Sequence, residues 1–220
     1  MDSGSGLKND REKGQSFSLH HYSKTIFTKA QEFNRRFTLH EYFAPMIGDK
    51  KEVFIADVGA GMFSTTGSTW ETAKVNLYPS DELADKYMGV LKQQGIKPFI
   101  PIEKQDMEQL TYPNEMFDIV HCSNALDHCR SPFRAIEEMY RVCKHGGWIY
   151  LRHFYNTGEL QKYWGEHKWN ITVTINYDCI FWGELGNFLL SNCVKGFKNE
   201  MKKELKYERY NMVVSKFQKP

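Results

Sequence analysis

The chain has 220 residues with a formal net charge of +2, and hydrophobic and charged residues make up 41% and 25% of it. That is enough for one domain with a real core, and the near-neutral balance gives no electrostatic footprint for a nucleic-acid partner. No apolar run reaches the length of a membrane span, no apolar h-region follows the start methionine, and the five cysteines form no C-x-x-C pair, so a reduced cytoplasmic protein is expected.

Residues 1–18 are polar and rich in glycine and serine, which predicts a flexible arm ahead of a single domain over 19–220. From His20 to Ile47, apolar positions recur at roughly helical spacing and predict one or two amphipathic helices, stopped at Gly48-Asp49. Val53 to Ala56 is an unbroken apolar run that suits a strand buried on both faces. Asp57 ends it, and Gly59-Ala60-Gly61 follows at once. Such a loop turns tightly, lets a ligand come close, and can offer backbone N–H groups to an anionic group.

The stretch after Gly61 is rich in serine and threonine and supports no more than a turn or two of helix. A second strand is predicted over Val75–Tyr78 and a helix from Asp81 to Gln94, ended by Gly95. A third strand over Pro98–Ile102 leads to Gln105-Asp106-Met107-Glu108. A fourth spans Phe117–Cys122, a helix Pro132–Cys143, and a turn at His145-Gly146-Gly147 opens a fifth strand over Trp148–Leu151. Strands alternating with helices predict an α/β, doubly wound, mostly parallel sheet, with a core over 50–155. The remainder is expected to be a β-rich extension that carries a lid over 156–205 and a last strand over Tyr210–Phe217. Its basic run Lys195–Lys206 reads as the solvated face of a helix.

From Val53 to Leu151 the sequence resembles the class I S-adenosylmethionine-dependent methyltransferases. DVGAG is similar to the first motif of that family, Asp106-Met107-Glu108 to its adenine-facing stretch, FDIVHCSNALDH to its fourth-strand motif, and RVCKHGGWIYL to its R-x-L-K-P-G-G segment. Phe63 replaces the third glycine of the first motif, which narrows the space beside the methionine moiety, and His145 replaces the usual proline. DELADKY, ALDHC and the later Y-W-G-x-H-x-W-N look like a subgroup of small bacterial or viral enzymes. The resemblance implies a Rossmann-like methyltransferase fold and S-adenosylmethionine as cofactor. It gives Asp81 to the ribose diol, Asp106 and Met107 to the adenine, and Gly59, Ala60 and Gly61 to close approach. Asp57 would fix the loop and meet the ammonium group, and Asn124 would bridge cofactor and substrate.

Methyl transfer needs alignment of acceptor and methyl, and a proton acceptor where the nucleophile is a hydroxyl. His128 beside Asp127, and His153 after the fifth strand, are the candidates. His167, Trp164 and Trp169 lie in a segment whose aromatic and hydrogen-bonding side chains suit a sugar or another small polar acceptor, though both tryptophans equally suit pinning a lid. The expected reaction is O-methylation of a small molecule or glycan end group, with no nucleic-acid or membrane partner. Cys122 and Cys129 with His121 and His128 fit no common zinc spacing. Asp127 with His128 or His153 can hold a divalent ion, but nothing in the spacing demands one, and no metal ligands are assigned. Two alternatives remain. An NAD-dependent oxidoreductase would need a third glycine where Ser64 stands, and a non-catalytic binding module would keep the fold without the chemistry.

Overall fold

The computed structural model describes residue 16 and residues 25–176, 178–194, 200–204 and 212–220, with the backbone alone over 200–204. Apart from residue 16, the predicted arm lies outside the described residues; of the run Lys195–Lys206 only the backbone of 200–204 is described, and it forms a strand and not the expected helix.

Helix α1 occupies residues 25–33, and a 3-10 turn (Glu41–Phe43) runs into α2 (Ala44–Ile47). The sheet begins with β1 (Glu52–Val58) and β2 (Lys74–Asp81), continues through α3 (Ala84–Gln93) and β3 (Glu103–Lys104), and then β4 (Phe117–Ser123), α4 (Pro132–Val142) and β5 (Cys143–Phe154). A short α5 (Thr157–Leu160) follows, then β6 (Trp169–Val173), β7 (Cys179–Gly183), β8 (Gly186–Leu189), α6 (Leu190–Cys193), β9 (Glu200–Glu204) and β10 (Met212–Gln218). Seven strands form one sheet in the order β3-β2-β1-β4-β5-β10-β9. The five from β3 to β5 are parallel, and β10 is antiparallel to both of its neighbours. The predicted mostly parallel α/β sheet is what the chain forms, and β6-β7-β8 makes a separate antiparallel sheet in the extension.

β1 and β4 are central, and their apolar runs divide between the two faces by simple alternation. Ala56, Val58, Val120 and Cys122 join α4, Trp169 and Phe181 in one core, while Val53, Ile55 and Ile119 join Phe43, Met46 and Ile47 in the other. Asp57 and His121 follow Ile55 and Ile119 at the same parity and pair with each other. His121 Nδ1 meets Asp57 Oδ1 at 2.7 Å, and its Nε2 meets the Tyr42 hydroxyl at 3.2 Å. Tyr42 in turn stacks on Tyr150 at 4.5 Å. The first-motif carboxylate is therefore tied to the N-terminal segment across the sheet.

Three sequence expectations need correction. The third strand does not form over Pro98–Ile102: two prolines remove ladder donors there, and only Glu103–Lys104 pairs, with Ser80–Asp81. The helix predicted from Asp81 starts at Ala84, because Asp81 is the last residue of β2 and its Oδ1 accepts from the Leu83 amide at 2.9 Å. His145-Gly146-Gly147 is not a turn. β5 starts at Cys143 and runs through it, with a register shift against β4 between Phe117 and Ile119. Gly146 takes a φ of 71° there, and a Cβ on Gly147 would lie 2.9 Å from both Cys143 Sγ and the Lys144 carbonyl, so the two glycines allow the strand to bulge while it stays paired.

Between Gly61 and β2 no helix forms. Residues 65–69 pack on the N-terminal segment instead: the Leu39 amide donates to the Thr69 carbonyl (2.9 Å) and the Ser68 amide to that of Phe37 (2.8 Å). Gly67, with φ 90°, lies against this contact, and a Cβ there would overlap the Thr38 carbonyl. Gly67→Ala is expected to destabilise the fold by about 1–3 kcal/mol, read as a fall in Tm; an unchanged Tm would show that this contact does not hold the two segments together.

The extension covers the α4 side of the sheet. Trp169, Ile171, Phe181 and Leu190 are buried in the core that contains Ile136 and Met139, and Phe188 meets Phe133 edge to face. Trp169 Nε1 donates to the Cys129 carbonyl (3.1 Å) and the Lys168 amide to that of Asp127 (3.1 Å), which stitches the start of β6 to the loop after β4.

Candidate active site

The loop after β1 bends back over the tip of β2. The amides of Gly59 and Ala60 both donate to the Ser80 carbonyl (2.8 and 2.9 Å), and the Gly61 amide donates to Asp81 Oδ2 at 3.0 Å. Gly59 and Gly61 have φ of 73° and 70°, and a Cβ on Gly59 would overlap that of Ala125. The expected array of free amides for an anionic group is thus not there, because all three N–H groups are engaged by β2. What the glycines supply is a bare wall.

That wall bounds a crevice at the carboxyl ends of the parallel strands. Its lining includes Gly59, Gly61, Asp81, Asp106, Met107, Asn124 and His128, so seven of the residues picked from the sequence meet in one place. Open α/β sheets bind ligands at such a position, where the strand order reverses on either side of β1 and β4. Asp81 is partly buried, and desolvation pushes its carboxyl up despite the opposing Leu83 and Gly61 amides. Each of its oxygens keeps a lone pair beyond those two bonds. Asp106 accepts from the Glu108 amide (2.9 Å) and from the Arg130 guanidinium (2.6 Å). Arg130 also binds Glu108 through its own amide (2.7 Å), so it clamps the loop after β3 to the loop after β4. Sequence reasoning missed Arg130, since no motif or spacing marks it. Asn124, with φ 52°, accepts from the Phe154 amide through Oδ1 (2.9 Å) and latches this loop to β5.

The remaining picked residues sit elsewhere. Asp57 does not reach the crevice: its oxygens are held by His121 and by the Ser64 hydroxyl (2.6 Å), so it fixes the loop but is not placed to meet an ammonium group. Ala60 contributes its amide to the turn and does not line the crevice. Phe63 does not narrow it either, because its ring turns away to pack with Ile26, Met62, Tyr87 and Leu91. Trp169 is buried as a pin, while Trp164 is 49% exposed and lies outside the crevice lining.

Beside the crevice the extension brings His167 onto Asp127. Asp127 Oδ2 is 2.7 Å from His167 Nδ1 and 3.3 Å from His128 Nε2, and the two ring nitrogens are 3.0 Å apart. Burial pushes the Asp127 carboxyl up, but the two imidazoles outweigh it and hold the group at about 2. Burial lowers His128 despite the neighbouring carboxylate, so its imidazole is neutral at pH 7 and able to take a proton. His153 is buried, both of its ring nitrogens lack a hydrogen-bond partner among the described residues, and burial holds it down at about 3. It lies near enough to Asp127 to act on it electrostatically, but it does not line the crevice.

Residues 56–151 match a family described as a methyltransferase domain. The chain is 30% identical over 141 residues to a sterol 24-C-methyltransferase of Neurospora crassa, covering 61% of this chain and 35% of that protein. It is 28% identical over 116 residues to a ubiquinone/menaquinone biosynthesis C-methyltransferase of Coxiella burnetii, covering 53% and 38%. The chain thus spans just over a third of the length of each of these two relatives. A probable methyltransferase of Aspergillus luteorubrus is 28% identical over 180 residues, covering 74% of this chain and 60% of that protein. Among solved structures, a [4+2]-cyclase, SpnF, superposes with a TM-score of 0.55 at 13% identity, covering 96% of both chains. The putative methyltransferase complexed with the Trm112 activator of Haloferax volcanii gives 0.54 at 10%, covering 94% and 97%; both show the fold. An adenosyl ligand fits the donor set of the crevice, where the partly buried carboxylate of Asp81 can take a diol, Asp106 an exocyclic amine and Met107 a ring face. The methyltransferase-domain match over residues 56–151, the motifs and this crevice agree, and S-adenosylmethionine is the cofactor they imply.

Proposed function

We propose that the protein transfers a methyl group to a hydroxyl of a small polar acceptor, such as a sugar or glycan end group. The observation that carries this reading is the Asp127–His128–His167 cluster at the edge of the adenosyl crevice. S-adenosylmethionine supplies an electrophilic methyl on a good leaving group. Asp81 receives the ribose hydroxyls, Asp106 and Met107 receive the adenine, and Gly59 lets the ligand lie close to the wall. His128 takes the acceptor's proton, while Asp127, ionised and buried, orients the two imidazoles. Glu166 also faces the crevice and sits on the extension, where it can meet acceptor hydroxyls. The five cysteines are all free thiols, which suits a reducing, cytoplasmic setting.

Methylation at carbon is the second reading, and the names of the two C-methyltransferase relatives favour it. The deciding experiment supplies 13C-methyl-labelled cofactor with extracts fractionated by polarity and reads the label in the product. A methyl on oxygen in a polar fraction supports the first reading; a methyl on carbon in an apolar fraction replaces it with the second. S-adenosylhomocysteine that produces no heat at high protein concentration would favour a non-catalytic module.

Asp81→Asn is expected to weaken S-adenosylhomocysteine binding by about 1–3 kcal/mol, the cost of a charge-assisted hydrogen bond. A ligand diol finds a charged acceptor at both oxygens only while the carboxylate is ionised, so wild-type affinity should fall as pH drops through the raised titration range of Asp81. Calorimetry across acidic pH checks both points. Equal affinity, or the same pH slope in the variant, would remove Asp81 from the ligand.

A further inference from the structure

We propose that Asp127, His128 and His167 form a binding site for a divalent first-row transition ion at the mouth of the adenosyl crevice. This rests on the methyl-transfer reading for its role, but not for its existence. Asp127 Oδ2, His128 Nε2 and His167 Nδ1 form a triangle with sides of 2.7, 3.0 and 3.3 Å, and among the described residues this trio offers one ligand atom each within a common reach. Ligand atoms held about 2.0–2.2 Å from one ion lie about 2.8–3.1 Å apart at right angles and about 3.3–3.6 Å apart at the tetrahedral angle, so the triangle is close to one face of an octahedral site and needs a small expansion for a tetrahedral one.

Proton counting points the same way. If both nitrogens carry hydrogen, each can donate to the carboxylate, but the 3.0 Å contact between them then sets N–H against N–H. If the His128 nitrogen is bare, the single His167 Nδ1–H must serve both the carboxylate at 2.7 Å and that nitrogen at 3.0 Å, while the bare lone pair still faces a carboxylate oxygen at 3.3 Å. A cation satisfies all three lone pairs at once. Two imidazoles and one carboxylate leave open coordination positions and suit Mn, Fe, Co, Ni or Zn better than Mg or Ca. His128 lines the crevice itself, and Glu166 precedes His167 and lines it too, so the open positions face the acceptor side.

The fold brings these ligands together from two separate elements. Asp127 and His128 come from the loop after β4, and His167 comes from the extension, held in place by the neighbouring Lys168 amide on the Asp127 carbonyl. An ion here would lock the extension down and carry the acceptor. The acceptor hydroxyl, coordinated to the ion, gives up its proton to water. The O–CH3 bond then forms as the S–CH3 bond breaks, with the electron pair leaving on sulfur, so that a methyl ether and a neutral thioether result. In that state His128 acts as a ligand, and the ion replaces it in activating the hydroxyl.

The test uses the full chain, dialysed against chelator and then titrated with Co2+, Mn2+ or Zn2+ alone. Calorimetry and the Co2+ absorption spectrum should show a single ion per chain. Asp127→Asn and His167→Ala should each lower affinity at least tenfold and remove the Co2+ bands, with S-adenosylhomocysteine binding retained as proof of folding. His128→Gln provides a third variant if either of these fails to fold. No uptake at millimolar metal, or uptake indifferent to these substitutions, would overturn the site and leave a hydrogen-bonded triad. Failure of wild type to bind S-adenosylhomocysteine would instead defeat the methyl-transfer reading, whatever the metal result.

Discussion

Gly59→Ala is expected to lower Tm by roughly 4–20 °C and to abolish S-adenosylhomocysteine binding. At φ 73° an L side chain costs about 1–2 kcal/mol, and the new Cβ would also overlap Ala125 Cβ and lie 3.2 Å from Met107 Cε. Ala125 has little room to retreat, being buried beside Asn124, whose side chain is latched to β5. The overlap adds about 1–3 kcal/mol of overpacking, and each kcal/mol is worth roughly 2–4 °C in a chain of this size. Gly95→Ala separates the two causes, since Gly95 has φ 68° but nothing within 4 Å of a Cβ. Gly95→Ala should cost only the dihedral strain and leave ligand binding untouched. Thermal denaturation and calorimetry on the pair decide the matter. Equal Tm values with ligand binding intact in Gly59→Ala would mean that the glycine wall does not shape the crevice.

The contrast between these two glycines shows what was legible beforehand. Gly59 and Gly95 look alike as local punctuation, and only the packed structure places Ala125 against one of them. β1, β4 and α4 were readable because burial on both faces demands unbroken apolar runs, and an amphipathic helix demands its periodic stripe. The span of β3 was misread because apolar residues between two prolines look like a strand but cannot donate to a ladder. The convergence of Asp81, Asp106, Met107 and Asn124 followed from strand order, which alternating elements largely impose. Asp57 was placed on the wrong side because parity along β1 sends it to the face that carries His121 and Tyr42, and no local pattern announces that partner. His167 was singled out for its aromatic neighbourhood, as a substrate group. Its contact with Asp127 depends on how the extension folds back, which no spacing encodes.

Asp127→Asn should reduce methyl transfer by about a hundredfold or more, the usual worth of positioned proton transfer, while S-adenosylhomocysteine affinity changes by only a few fold. The carboxylate is buried, lies outside the crevice lining, and contacts both imidazoles through one oxygen. An amide in its place presents either a neutral carbonyl, too weak an acceptor to orient two rings, or an NH2 that forces each facing nitrogen to be bare. Either way His128 loses its fixed tautomer, and a coordinated ion loses its one anionic ligand, so turnover falls whether the proton is taken by the imidazole or by water from an activated hydroxyl. The two routes part in their response to added metal: His128→Ala should stay inactive with excess Mn2+ if the imidazole is the base, but should recover in part if the ring only holds an ion that Asp127 and His167 still bind. Single-turnover transfer of tritiated methyl, run beside calorimetry, reads both quantities. Near-normal turnover in Asp127→Asn with the cofactor bound would remove the cluster from the reaction, because Asp127 is the carboxylate that meets both imidazoles.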